Sequence, residues 1–296
     1  MLFHGLSAFP ITPADAQGRV LEGDLARLVG RLGGAGVDSV GLLGSTGSYM
    51  YLPRQERRRA VEVAAQALAG AAPLMVGVAA MRTDEAIALA QDAAAAGADA
   101  LLLAPVSYTP LGEKEVHEHF VEVASATDLP LCIYNNPTTT HFTFSDVLIA
   151  RLAAHPKIVA VKNPSAPVAE NPERHAALAA LLPGGFALGY SGDWNAARAV
   201  LAGGVGWYSV IAGLLPEPAL KLMRAAQAGD VSEVDRINAA FGPLWGLFRE
   251  LTGYRIVYAV ANAMGLTDAQ PPRPILPLAA ADQQRVMMAT RKLAEV

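Results

Sequence analysis

The feature that most constrains this chain is an alternation. Eight short runs rich in β-branched and apolar residues lie at 6–11, 39–43, 74–78, 100–103, 129–134, 158–161, 187–189 and 207–211. Stretches of helical period, rich in alanine, follow them at 23–32, 55–69, 83–96, 114–125, 145–154, 173–181, 195–202 and 217–228. Leu101-Leu102-Leu103 and Ile158-Val159-Ala160-Val161 are apolar without a break. Unbroken runs mark strands covered on both faces, which is the condition of a parallel sheet. Glycine or proline precedes each strand, as in Gly34-Ala35-Gly36, Gly97-Ala98-Asp99 and His155-Pro156-Lys157, the punctuation that ends a helix and turns the chain back.

Eight such units at spacings of about 25 to 30 residues predict a closed (β/α)8, or TIM, barrel; a doubly wound sheet needs fewer strands and a switch point. Residues 1–229 read as the barrel. Residues 230–296, with helical periods at 231–248, 254–264 and 280–296, read as a helical extension of the same domain. At 52% hydrophobic and 17% charged residues, the chain has the apolar content for so large a core.

Other classes of function find little support. Lys and Arg total 23 against 27 Asp and Glu, and the longest basic block is Arg57-Arg58-Arg59, so the footprint of a nucleic-acid binder is missing. The low-charge stretch 199–216 is broken by Gly203, Gly204, Gly206 and Gly213, which speaks against a membrane span. The start, Met1-Leu2-Phe3-His4-Gly5, has no basic and apolar leader, and the single cysteine, Cys132, fits a reducing compartment, so a cytoplasmic protein is expected. His117 and His119 stand two apart on a helical stretch and face different ways, so no metal site is expected. No phosphate-cradling glycine motif occurs, and Gly189-Tyr190-Ser191-Gly192 misses the spacing of a nucleophile elbow by one residue.

A barrel of this kind places its chemistry where the strands end. The polar residues closing the runs are Gly44-Ser45-Thr46-Gly47-Ser48, Ser107-Tyr108, Tyr134-Asn135-Asn136-Pro137, Lys162 and Ser191-Gly192-Asp193. Lys162 stands out, because it follows four apolar residues into the barrel mouth, where an ammonium costs several kcal/mol to bury. A lysine at its ordinary pKa of about 10.4 is no nucleophile at neutral pH, and desolvation is what frees the amine for imine formation with a carbonyl. The competing reading is a strand-end lysine that reaches outward or pairs with Asp193. Tyr134 closes the neighbouring strand as a candidate acid–base group, or as an ordinary core tyrosine.

Taken in register, Gly44-Ser45-Thr46-Gly47, Tyr134-Asn135-Asn136-Pro137 and Val159-Ala160-Val161-Lys162 resemble the dihydrodipicolinate synthase and N-acetylneuraminate lyase family of class I aldolases over residues 6–216. Thr12-Pro13, Gly97-Ala98-Asp99-Ala100 and Gly213-Leu214-Leu215-Pro216 add to the resemblance. It implies that Lys162 forms a Schiff base with pyruvate or a related 2-oxo acid, with no other cofactor, and that Tyr134 moves the protons. It implies further that Ser45, Thr46 and Gly47 hold the 2-oxo acid carboxylate, that Thr46 sits in a hydroxyl relay, and that Tyr108 of a neighbouring subunit completes that relay. A homotetramer or homodimer is the assembly it implies.

Several positions depart from the family pattern. The synthases place an arginine two residues past the motif proline, where this chain has Thr139; the usual glutamate after the glycine-flanked turn is Ser48, and the acidic residue after the lysine is Asn163. The sialic acid lyases carry a threonine where Pro164 stands. Without the arginine there is no bidentate clamp for a second carboxylate. Thr139 with its neighbours, Ser191, Asp193 and Ser209 then either bind an uncharged aldehyde portion or cap the turns they open. The expectation is an aldolase or lyase joining a 2-oxo acid to an aldehyde other than that of a true dihydrodipicolinate synthase. The alternatives are a 2-oxo-3-deoxy sugar acid dehydratase, such a synthase proper, or a non-catalytic 2-oxo acid-binding paralogue.

Overall fold

The computed structural model describes residues 2–167 and 170–295. In chain order, the elements are β1 (Gly5–Ala8), α1 (Glu22–Ala35), β2 (Ser39–Leu42), α2 (Arg54–Leu68), β3 (Leu74–Gly77), α3 (Thr83–Ala95), β4 (Ala100–Leu103) and α4 (Glu113–Ser125). Then come β5 (Leu131–Tyr134), α5 (Pro137–Thr140), α6 (Asp146–Ala153), β6 (Ile158–Pro164), α7 (Asn171–Ala179), β7 (Ala187–Ser191), α8 (Asp193–Leu201), β8 (Gly206–Ser209) and α9 (Pro216–Gln227). Helices α10 (Val231–Leu251), α11 (Gly253–Ala263) and α12 (Ala280–Arg291) complete the chain. The eight strands are parallel, pair in sequence order, and close with β1 against β8. The expected (β/α)8 barrel with a helical extension is the architecture found.

Local chemistry explains the punctuation. Gly36 ends α1 at φ 77°, and its N–H returns to the last turn, a left-handed cap that costs glycine least. Ser145 opens α6 by accepting the Leu148 N–H, and Asp230 opens α10 by accepting from Glu233. Asp38 and Asp99, just before β2 and β4, accept the N–H groups of Leu6 and Leu74 on the preceding strands at 2.7 Å, which explains the Gly-Ala-Asp-Ala turn seen in the sequence.

Two differences from the sequence reading bear on function. Strand β6 runs on past Lys162 to Pro164, pairing Asn163 with Tyr190 and Pro164 with Ser191 of β7, so the lysine lies within the strand ladder rather than at its end. The residues after Asn136 form α5, a four-residue helix started by Pro137, too short to show a period in the sequence. One buried apolar cluster reaches from Phe3 to Leu293 and joins barrel side chains to those of α10, α11 and α12. Among the described residues, no helix is long and apolar enough to cross a membrane.

Candidate active site

The ladder sets Tyr134 of β5 beside Lys162 of β6, and Lys162 beside Gly189 of β7. Lys162 is 3% exposed. Its Nζ lies 3.6 Å from the ring centroid of Phe9, 4.3 Å from that of Tyr134 and 5.8 Å from that of Tyr208. Three glycines make room for these walls. A Cβ at Gly41 or Gly44 would stand 2.3 or 2.7 Å from the Phe9 ring, and one at Gly189 would stand 2.3 Å from the Tyr208 ring. The amine is thus enclosed by aromatic faces, whose negative quadrupoles offset part of the cost of a cation.

The Asp193 carboxylate is engaged by donors at the end of β8. It is buried, and its two oxygens accept the Trp207 indole N–H at 2.9 Å and the backbone N–H groups of Ile211 at 2.9 Å and Val210 at 3.3 Å. Burial raises its pKa against the lowering effect of those donors. As the first residue of α8, Asp193 ties that helix to the end of β8. Ser209 is fully buried, with its Oγ accepting the Ala212 N–H at 3.1 Å.

A chain of hydroxyls leads from Tyr134 outward. Its Oη lies 3.2 Å from Ser45 Oγ, and the side-chain amide of Asn136 donates to it at 2.9 Å. The same amide reaches Thr139 Oγ1 at 2.7 Å and Ser45 Oγ at 3.5 Å. Of the two neighbouring hydroxyls, Ser45 and Thr46, Ser45 is the one that meets Tyr134. The two are adjacent, in a loop with left-handed backbone at Leu43 and Ser48, φ 55° and 58°. Thr46 is buried, while Gly47 packs so closely that a Cβ there would stand 3.0 Å from the Leu43 backbone.

The remaining expected residues are dispersed around the mouth. Thr139 is exposed, and Ser191, half-buried, donates to the Asn163 carbonyl at 3.2 Å. Tyr108 is 94% exposed in its own chain. Ser48, where the family pattern has a glutamate, is buried with Oγ 2.6 Å from Tyr254 Oη and 2.9 Å from Tyr258 Oη, so α11 pins the loop that carries Ser45. A cavity of about 520 Å³ lies behind this loop, lined by Thr12, Leu21, Ser48, Tyr258 and Pro271. Cys132 is buried near the Tyr208 hydroxyl, and burial pushes its thiol up to about 12, which makes it a core residue. Among the described residues no three His, Cys, Asp or Glu side chains group where they could hold a metal.

Sequence reasoning missed Phe9, Tyr208, Gly189 and Asn136. The two aromatics sit in or beside apolar runs and read as core, and only the strand register reveals which glycine faces them.

The lysine and tyrosine side by side in the mouth of such a barrel are matched by similarity along the chain. The model of the dihydrodipicolinate synthetase family matches residues 2–293. The chain belongs to that family. Family members are aldolase-type enzymes acting on carbon–carbon bonds, and this chain is accordingly a carbon–carbon lyase. The 4-hydroxy-tetrahydrodipicolinate synthase of Methylococcus capsulatus (strain ATCC 33009 / NCIMB 11132 / Bath) is 34% identical over 283 residues, 95% of each chain. A crystal structure of dihydrodipicolinate synthase from Agrobacterium tumefaciens str. C58 is similar with TM-score 0.97 and 60% identity over 98% of each chain. A chloride-inhibited dihydrodipicolinate synthase from Acinetobacter baumannii, complexed with pyruvate, is similar with TM-score 0.89 and 27% identity over 99% of this chain and all of that one.

Proposed function

We propose that this family member is a class I aldolase in which Lys162 forms a Schiff base with pyruvate or a related 2-oxo acid. The observation that carries the reading is the enclosed Lys162 amine, 4.3 Å from the ring of a tyrosine whose hydroxyl leads into a hydrogen-bonded chain. The amine adds to the 2-oxo carbon, Tyr134 gives its proton to the carbinolamine hydroxyl, and water leaves. The Tyr134 phenolate takes a proton from the adjacent carbon, giving an enamine that attacks the aldehyde, and Tyr134 passes that proton to the new alkoxide before water hydrolyses the imine and frees the lysine. The reverse sequence breaks the same bond. Thr46 and the Gly47 backbone hold the carboxylate, Ser45 passes protons to Tyr134, and Tyr108, exposed on its own chain, enters a neighbouring subunit's relay in a cytoplasmic homo-oligomer. The electrophile is the protein's own imine, with no added cofactor.

Thr139 in place of the arginine supports an aldehyde without a carboxylate at that point, because a hydroxyl offers one hydrogen bond where a guanidinium offers two and a charge. The 60% identity to the Agrobacterium tumefaciens dihydrodipicolinate synthase structure favours the second reading, in which the aldehyde is that of the synthases. A panel of aldehydes with pyruvate, including aspartate semialdehyde and uncharged hydroxyaldehydes, separates them by kcat/KM. Preference for the uncharged set is expected; preference for aspartate semialdehyde would establish the second reading. Tyr134→Phe slows the favoured reaction by about 10² or more while leaving imine formation detectable; a near-normal rate would move the acid–base role elsewhere.

A further inference from the structure

Asn136 stands at the position that opens α5, where an asparagine side chain ordinarily accepts a backbone N–H from the first turn. It does not do so here. The main-chain carbonyl of Asn136 receives the N–H groups of Thr139 and Thr140 at 3.0 Å, and the side chain is turned back toward the barrel. There its amide nitrogen lies 2.9 Å from Tyr134 Oη and 2.7 Å from Thr139 Oγ1, with Ser45 Oγ at the edge of reach at 3.5 Å.

An amide nitrogen has two protons, and the two short contacts use both. Each hydroxyl oxygen that accepts one keeps its own proton to give. We propose that Asn136 is a positioning residue, whose amide fixes the Tyr134 and Thr139 hydroxyls as donors facing the reacting substrate. The inference rests on the class I reading above. Tyr134 gives its proton to the carbinolamine hydroxyl, which departs as water, and the phenolate left behind still accepts the Asn136 N–H until the proton lost from the adjacent carbon returns to it. An amide does not titrate in the working range, so the direction of the chain holds at every pH where the enzyme acts. On the outer side, the same amide leaves the Thr139 proton free for an oxygen of the aldehyde portion, at the place where the family pattern has a cation.

Two variants test this. Asn136→Leu removes the donor, and Asn136→Asp keeps the shape while replacing the donor with acceptors. Each is assayed with pyruvate and the best aldehyde, trapped with borohydride and pyruvate, and checked for folding by circular dichroism. Both variants should trap pyruvate on Lys162 and keep KM for pyruvate within about threefold, with kcat reduced about tenfold or more. Placed in a Tyr134→Phe background, Asn136→Leu should cost less than about twofold further in kcat, because the Tyr134 proton it orients is gone, while the lost hold on Thr139 is read in KM for the aldehyde. Parental kcat in Asn136→Asp would overturn the proposal, and so would a full additional loss in the Tyr134→Phe background. Failure of the parent chain to trap pyruvate would remove the class I reading itself, and that result does not involve Asn136.

Discussion

Lys162 is surrounded by rings rather than by carboxylates, and two of the three rings are admitted by residues without a side chain. Phe9 fits against Gly41 and Gly44, and Tyr208 against Gly189, so the amine's surroundings are set by glycines on three other strands and loops. Asp193 shows the opposite case, a charged group at the mouth whose work is structural. Asp193→Ala strands the Trp207, Ile211 and Val210 N–H groups in the interior, at about 1–3 kcal/mol for each donor left unpaired. Denaturant unfolding should show a loss of about 3 kcal/mol or more, with Asp193→Asn much milder; an unaffected Asp193→Ala would return the carboxylate to the list of substrate ligands. At this scale the sequence was legible where a residue type is out of place, as with a lysine closing an apolar run. It was not legible where neighbours share a chemistry: Ser45 and Thr46 carry the same hydroxyl, and only the folded loop shows which one meets Tyr134.

Elements were more legible than residues, because strand and helix periods are properties of several positions together. The eight alternations map onto the eight strands of the closed barrel, and the missed α5 is too short to show a period. Contacts between elements carry the pH response. His119 of α4 has Nδ1 2.9 Å from Thr83 Oγ1 at the start of α3, and burial holds its pKa below the ordinary histidine value. The unfolded chain then takes up a proton first, so the stability present above about pH 6.5 is lost as pH falls from there through the lower folded value. The thermal midpoint should drop on acidification from about pH 7.5 to 5.5, and His119→Gln should lessen the drop. An equal drop in variant and parent would place the response in other groups.

Over the whole molecule, the helices after the barrel take part in the site. Tyr254 and Tyr258 of α11 meet at Ser48, three residues from Ser45, and burial raises both phenols above their ordinary value, keeping them neutral donors. Ser48→Ala should lower stability by about 1–2 kcal/mol and raise KM for pyruvate as the Ser45 loop loosens; unchanged unfolding and kinetics would confine α11 to packing. The helical periods of the extension could be read in the sequence, but its link to the loop that carries Ser45 could not, because residues more than 200 apart meet only through the fold.

The central claim is a covalent one. Incubation of the intact protein with pyruvate and sodium borohydride, followed by peptide mass mapping, should show a reduced pyruvate adduct on Lys162 and on no other lysine, absent in Lys162→Met. An unmodified Lys162, or an adduct that persists elsewhere when Lys162 is replaced, would contradict it.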